Sequence, residues 1–91
     1  MALLDLLGRR WSLRVLWELR DGPLTARGLR AACDDASPTV LQSRLKDLAA
    51  AGYVENQRPG GYRLTERGRD LIVAFEPLYV FAERSEASRL P

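Results

Sequence analysis

The chain has 91 residues with 14 basic and 12 acidic side chains, a net charge of +2 and 46% apolar residues, which describes a single globular domain with a thin core. It contains no histidine and one cysteine, Cys33; an internal disulfide is excluded, and without the commonest general base and metal ligand the expectation is no enzyme, no metal site and no cofactor. No apolar run approaches the ~18 residues of a membrane span, and the start MALLDLLGRR lacks the basic flank of a signal peptide, so the expected location is the cytoplasm, with no membrane partner.

Leu3, Leu4, Leu6 and Leu7 make a short apolar helix that stops near Gly8. Trp11, Val15 and Leu19 then recur every four residues, with Leu13, Leu16 and Trp17 beside them, which predicts a helix with a broad apolar stripe. Asp21-Gly22-Pro23 ends it, and Leu24 is expected in a short strand. Thr25 can cap a helix over residues 26–32 that buries Leu29. A four-residue connection leads to SPTVLQSRLKDLAAAG, where Ser37 is a candidate N-cap, Pro38 fits the first helical position and Gly52 supplies a left-handed stop. On a helical wheel Leu45 and Leu48 lie within about 40° of Leu41. Thr39, Gln42, Ser43, Lys46 and Ala50 fall on the far side. Residues 53–58 read as a strand, Pro59-Gly60-Gly61 as a tight turn and residues 62–64 as the returning strand. Thr65 caps a last helix, strongly apolar over residues 71–82, in which Pro77 is expected to kink or restart the backbone.

The resulting fold class is mainly α with a small β-hairpin: a winged helix-turn-helix, three core helices plus a wing, with an apolar C-terminal dimerisation helix. One domain spans residues 1–91. Its runs LLGRRWSLRVLWELRDGPL, SPTVLQSRLKDLAAAGYV and YRLTERGRDL resemble, in order and over nearly the whole chain, the HxlR-type winged helix-turn-helix transcriptional regulators, relatives of the MarR group. The resemblance rests on Gly8 to Trp11, Asp21 to Pro23, Ser37 to Leu45 and Leu64 to Gly68. It implies a homodimeric regulator of double-stranded DNA, with the helix over residues 38–51 in the major groove and the wing over residues 53–64 on the flanking backbone. Three features depart from the family pattern. No cysteine precedes the Trp helix, where some members carry a redox or electrophile sensor. The wing is short. Arg27 stands where a serine usually caps the second helix.

In that setting the polar face of the 38–51 helix becomes a reading face. Gln42 can pair with adenine, Lys46 with guanine or phosphate, and Ser37, Thr39 and Ser43 with either bases or phosphates. Arg58 and Arg63 flank the hairpin turn and are expected on phosphate or in the minor groove. Arg44 lies off the face and suits an ion pair or a phosphate; Arg9, Arg10, Arg27 and Arg30 are further candidates for phosphate. The last helix is apolar on more than one side, which calls for a second subunit. Leu3, Leu4, Leu7, Ile72, Phe75 and Tyr79 are the expected interface, with residues 1–8 and 66–88 contributing. A small-molecule effector would lie between the dimer helices near Trp17 or Phe75. Asp34 and Asp35 disfavour a Cys33 thiolate and hence redox sensing, and they either repel DNA or support the N-terminus of the next helix. The competing reading is a winged-helix protein-interaction module without DNA binding, which the small net charge permits.

Overall fold

The computed structural model of the chain describes residues 2–57 and 60–89, with side chains to residue 85. Chain order is α1 (Ala2–Leu7), α2 (Ser12–Glu18), α3 (Ala26–Ala32), α4 (Pro38–Ala50), β1 (Val54–Gln57), β2 (Gly61–Leu64) and α5 (Glu66–Arg89). The two strands pair antiparallel in the register Val54↔Leu64 to Gln57↔Gly61. Leu24 adds a third edge by exchanging backbone hydrogen bonds with Tyr62 at 2.9 and 2.8 Å. This is the winged helix-turn-helix that the element order predicts.

One apolar core joins these pieces. Val15 and Leu16 of α2 and its C-cap Leu19 meet Leu29 of α3, Leu41, Leu45 and Leu48 of α4, and Val54 and Leu64 of the hairpin. The three leucines of α4 are buried together, as their spacing requires. Cys33 and Ala36 close the core beneath the α3–α4 connection.

Several local features explain how the chain reaches this arrangement. Thr25 Oγ1 accepts from the Gly28 amide at 3.0 Å, capping α3. Gly52, with φ of 88°, turns the chain out of α4. Gly61 also has positive φ, and a Cβ there would collide with the Leu24 carbonyl, so glycine is what lets the third edge form. Thr65 joins three elements: its hydroxyl donates to the Gly52 carbonyl at 2.6 Å and accepts from the Gly68 amide at 3.0 Å. A Cβ on Gly68 would strike the Tyr53 carbonyl, so the first turn of α5 sits against the hairpin only because that side chain is missing.

The structure revises three sequence expectations. Ser37 stands at the N-cap of α4 but its side chain makes no capping bond. Trp11 lies just ahead of α2 in a left-handed conformation, φ 74°, instead of inside the helix. The turn that follows α3 places Asp34 and Asp35 at positive φ, 56° and 57°, a region aspartate tolerates better than most residues. Finally, α5 runs through Pro77 without restarting. Pro77 and Val73 are both exposed, so the Val73 carbonyl that loses its helical partner is on the solvent side. Among the described residues no helix is long and apolar enough to cross a membrane.

Candidate nucleic-acid interface

The helix-turn-helix is α3 and α4, and two arginines fix the turn between them. Arg14, on α2, donates to the Ala32 carbonyl at 2.8 Å while its Nε donates to Glu18 at 2.8 Å. The bond to Glu18 raises the Arg14 pKa above its ordinary value despite partial burial. Asp34 lies 3.5 Å from the same guanidinium. Arg30 Nε donates to the Ala36 carbonyl at 3.2 Å. Buried carbonyls at a sharp helix exit need donors from elsewhere, and these side chains supply them. The sequence reading omitted Arg14; its i,i+4 spacing to Glu18 was the available signal.

With its apolar side in the core, α4 turns Thr39, Gln42, Ser43 and Lys46 outward, and all four are exposed, as is Ser37. No carboxylate pairs with Lys46 among the described residues. Ser43 Oγ accepts from Arg44 at 3.0 Å. Arg44 itself is withdrawn from the face: its side chain is 18% exposed and lies 3.8 Å from Asp47. Asp47 also accepts from Arg9 at 2.7 Å, which ties the α1–α2 turn to the back of α4. Arg44 and Arg9 thus have structural partners, while Arg10 lies over the Trp11 ring at 5.7 Å.

On the hairpin, Arg63 faces away from the core and pairs with its cross-strand neighbour Glu55. Its charge is therefore partly spent within the wing. Arg58 lies outside the described residues. The wing and the α4 face consequently differ at the residues described: Arg63 has an internal partner, whereas Gln42 and Lys46 have none shown among the described residues.

A second surface lies on α1 and α5. Ile72 and Phe75, expected at a subunit contact, are 7% and 8% exposed inside the protomer's own core. Tyr79 stacks on Trp17 with ring centroids 4.1 Å apart, also within the protomer. Leu3 and Leu7 are half-buried. Among the described residues the large apolar side chains left outside are Leu4, Val73, Leu78, Val80 and Phe81, with Leu78 and Phe81 64% and 65% exposed. An apolar groove of about 500 Å³ runs between α1 and α5, lined by Leu4, Leu7, Leu13, Leu78, Tyr79 and Ala82 among others. Both sides of α5 are apolar, so its periodicity alone did not separate inward from outward residues.

Cys33 is fully buried. Burial raises its thiol pKa, with Glu18 and Asp34 adding to the effect and Arg14 opposing it. Among the described residues no group of three or more His, Cys, Asp or Glu side chains is placed to hold a metal.

Comparison with known proteins places this geometry. Residues 6–88 match the family described as HxlR-like helix-turn-helix. The HTH-type transcriptional regulator YodB of Bacillus subtilis is 31% identical over 86 residues, covering 88% of this chain and 77% of YodB. The crystal structure of quinone-bound YodB superposes with a TM-score of 0.81 at 31% identity, covering 91% of this chain and 92% of that one. A possible HxlR family factor from Thermoplasma volcanium gives a TM-score of 0.87 at 27% identity over 93% of this chain and 82% of its own. The repressor BigR from Xylella fastidiosa gives 0.73 at 28% identity, with 90% and 84% covered. From the order of its elements, the fixed turn between α3 and α4 and these matches, the chain belongs to the HxlR family of winged helix-turn-helix transcriptional regulators.

Proposed function

We propose that the protein binds double-stranded DNA sequence-specifically as a homodimer, each subunit laying α4 in a major groove and the hairpin on the adjoining backbone. The observation that carries this reading is the outward face of α4. It collects amide, hydroxyl and ammonium groups, all exposed, on the second helix of a helix-turn-helix. Gln42 is the candidate adenine reader, Lys46 a guanine or phosphate contact, and Ser37, Thr39 and Ser43 supporting contacts. The uncapped Ser37 hydroxyl has no partner among the described residues and suits a phosphate. On the wing, Arg58 is the stronger phosphate candidate and Arg63 the weaker, because Glu55 already holds it.

Dimerisation is supported by the apolar residues left outside the core on α1 and α5. Leu4, Leu78 and Phe81 are the centre of that contact, with Leu3, Leu7 and Tyr79 at its edge. A structure of YodB is quinone-bound and another is of the diamide-treated protein. In this chain the sole cysteine is buried and its thiolate disfavoured, so an effector here would act by binding and not through an exposed thiol.

Selection of bound sequences from a random duplex library tests the whole reading. A palindromic consensus with half-sites one helical turn apart is the expected outcome. Gln42→Ala should then lose ~1–3 kcal/mol of discrimination at one base position. Failure to enrich any sequence, with binding indifferent to salt, would instead favour a protein-interaction module.

A further inference from the structure

Between α3 and α4, beside Gln42, lies a small notch of about 40 Å³ lined by Ala26, Arg30, Pro38, Leu41, Gln42 and Leu45. We propose that this notch seats the C5-methyl group of a thymine, making Ala26, Pro38 and Leu41 specificity determinants next to Gln42. The inference rests on the DNA-binding reading above.

Three observations support it. The first is position. Ala26 is the first residue of α3, directly after the Thr25 cap, and Pro38 is the first residue of α4. In a docked helix-turn-helix the leading helix crosses the backbone and the second enters the groove N-terminal end first, so these two positions face the duplex together. Ala26, Pro38 and Gln42 are all exposed, while Leu41 and Leu45 form a buried floor.

The second is chemistry. The walls are mostly apolar and lie beside the hydroxyl, amide and ammonium groups of Thr39, Gln42, Ser43 and Lys46. Among the groups that base pairs present in the major groove, the thymine methyl is the one apolar substituent.

The third is size and rigidity. By the same measure a water-sized group needs about 10–15 Å³, so the notch admits a methyl group and excludes a ring. Its floor belongs to the core, and Arg30 at its rim is held by the Nε bond to Ala36 O at 3.2 Å. The seat is therefore formed before DNA arrives. Gln42 at the other rim would read an adenine on a neighbouring base pair, coupling an adenine preference to a thymine preference one step away.

The test is a uracil scan of the duplex obtained by selection, each thymine replaced in turn by deoxyuridine, which lacks only the methyl. One replacement per half-site should weaken binding about threefold to fivefold, the worth of one buried methyl. 5-Bromouracil at that position, with a substituent of similar size, should restore it. Ala26→Leu fills the notch, and this variant should bind thymine and uracil duplexes alike while keeping the parent's salt dependence. A selected duplex whose every uracil replacement changes affinity less than twofold would overturn the notch and leave DNA binding standing. So would an Ala26→Leu protein that still distinguishes the two bases. If no duplex is enriched at all, the DNA-binding reading fails and the notch falls with it.

Discussion

α4 and α5 are the two long helices of the protein, and their outer surfaces are opposites. α4 gives its three leucines to the core and shows solvent Thr39, Gln42, Ser43 and Lys46. α5 gives Ile72 and Phe75 to the core and still presents Leu78 and Phe81 outside. A polar outer face costs nothing in water and complements base edges; an apolar one is stable only when covered. The same small core thus supports one helix suited to nucleic acid and another suited to protein.

The largest effect expected from this contrast concerns the shared core. Leu48→Ala should lower the unfolding free energy by about 2–5 kcal/mol in urea titration, whereas Gln42→Ala should stay within about 0.5 kcal/mol of the parent. Equal losses would mean that the α4 outer face has a structural task. Next comes the outer side of α5. A Leu78→Asp, Phe81→Asp double variant should raise the dimer dissociation constant at least ~100-fold by sedimentation equilibrium, since each such side chain is worth about 1.5–3 kcal/mol when covered. A parent that sediments as a monomer at micromolar concentration would remove that half of the comparison.

Smaller effects separate residues within α4. Lys46→Ala should reduce the salt slope of DNA binding by about one phosphate contact. Arg44→Ala should leave the slope unchanged, because Asp47 and Ser43 already engage its guanidinium, and should alter stability by no more than about 1 kcal/mol. The smallest effect is the pH response of Cys33. Its folded pKa lies above the ordinary value of about 9. The unfolded thiol therefore releases its proton first, and the stability this contributes is present below that value and declines as pH rises beyond it. Denaturation at pH 8 and pH 10 should show a steeper decline for the parent than for Cys33→Ala.

Much of this was legible in the sequence because local chemistry and global pattern agree. Thr25, Pro38 and Gly52 mark helix boundaries by backbone constraints that no tertiary contact overrides. Leu41, Leu45 and Leu48 identify the inner side of α4, and with it the candidate reading residues. Arg44 was separable from them by angle alone. What the sequence concealed depends on contacts between distant segments. Arg14 reaches from α2 to Ala32, and Arg9 from the α1–α2 turn to Asp47; no periodicity encodes either. The inner and outer sides of α5 were obscured because both are apolar. The left-handed turn at Asp34 and Asp35 was also unmarked, whereas the expected effect of Asp34 on the Cys33 thiol is present.

Thr65 carries one further consequence. Its hydroxyl links the end of α4 to the start of α5, so it sets the angle at which the 24-residue α5 leaves the reading head. That helix is about 36 Å long. A tilt of about 10° at its base moves its far end about 6 Å, nearly two base-pair steps at 3.4 Å each. In a two-fold assembly built on α5, the distance between reading heads would be governed by this lever. The spacing of an operator would then be recorded in the protein at a hydroxyl outside both proposed contact surfaces.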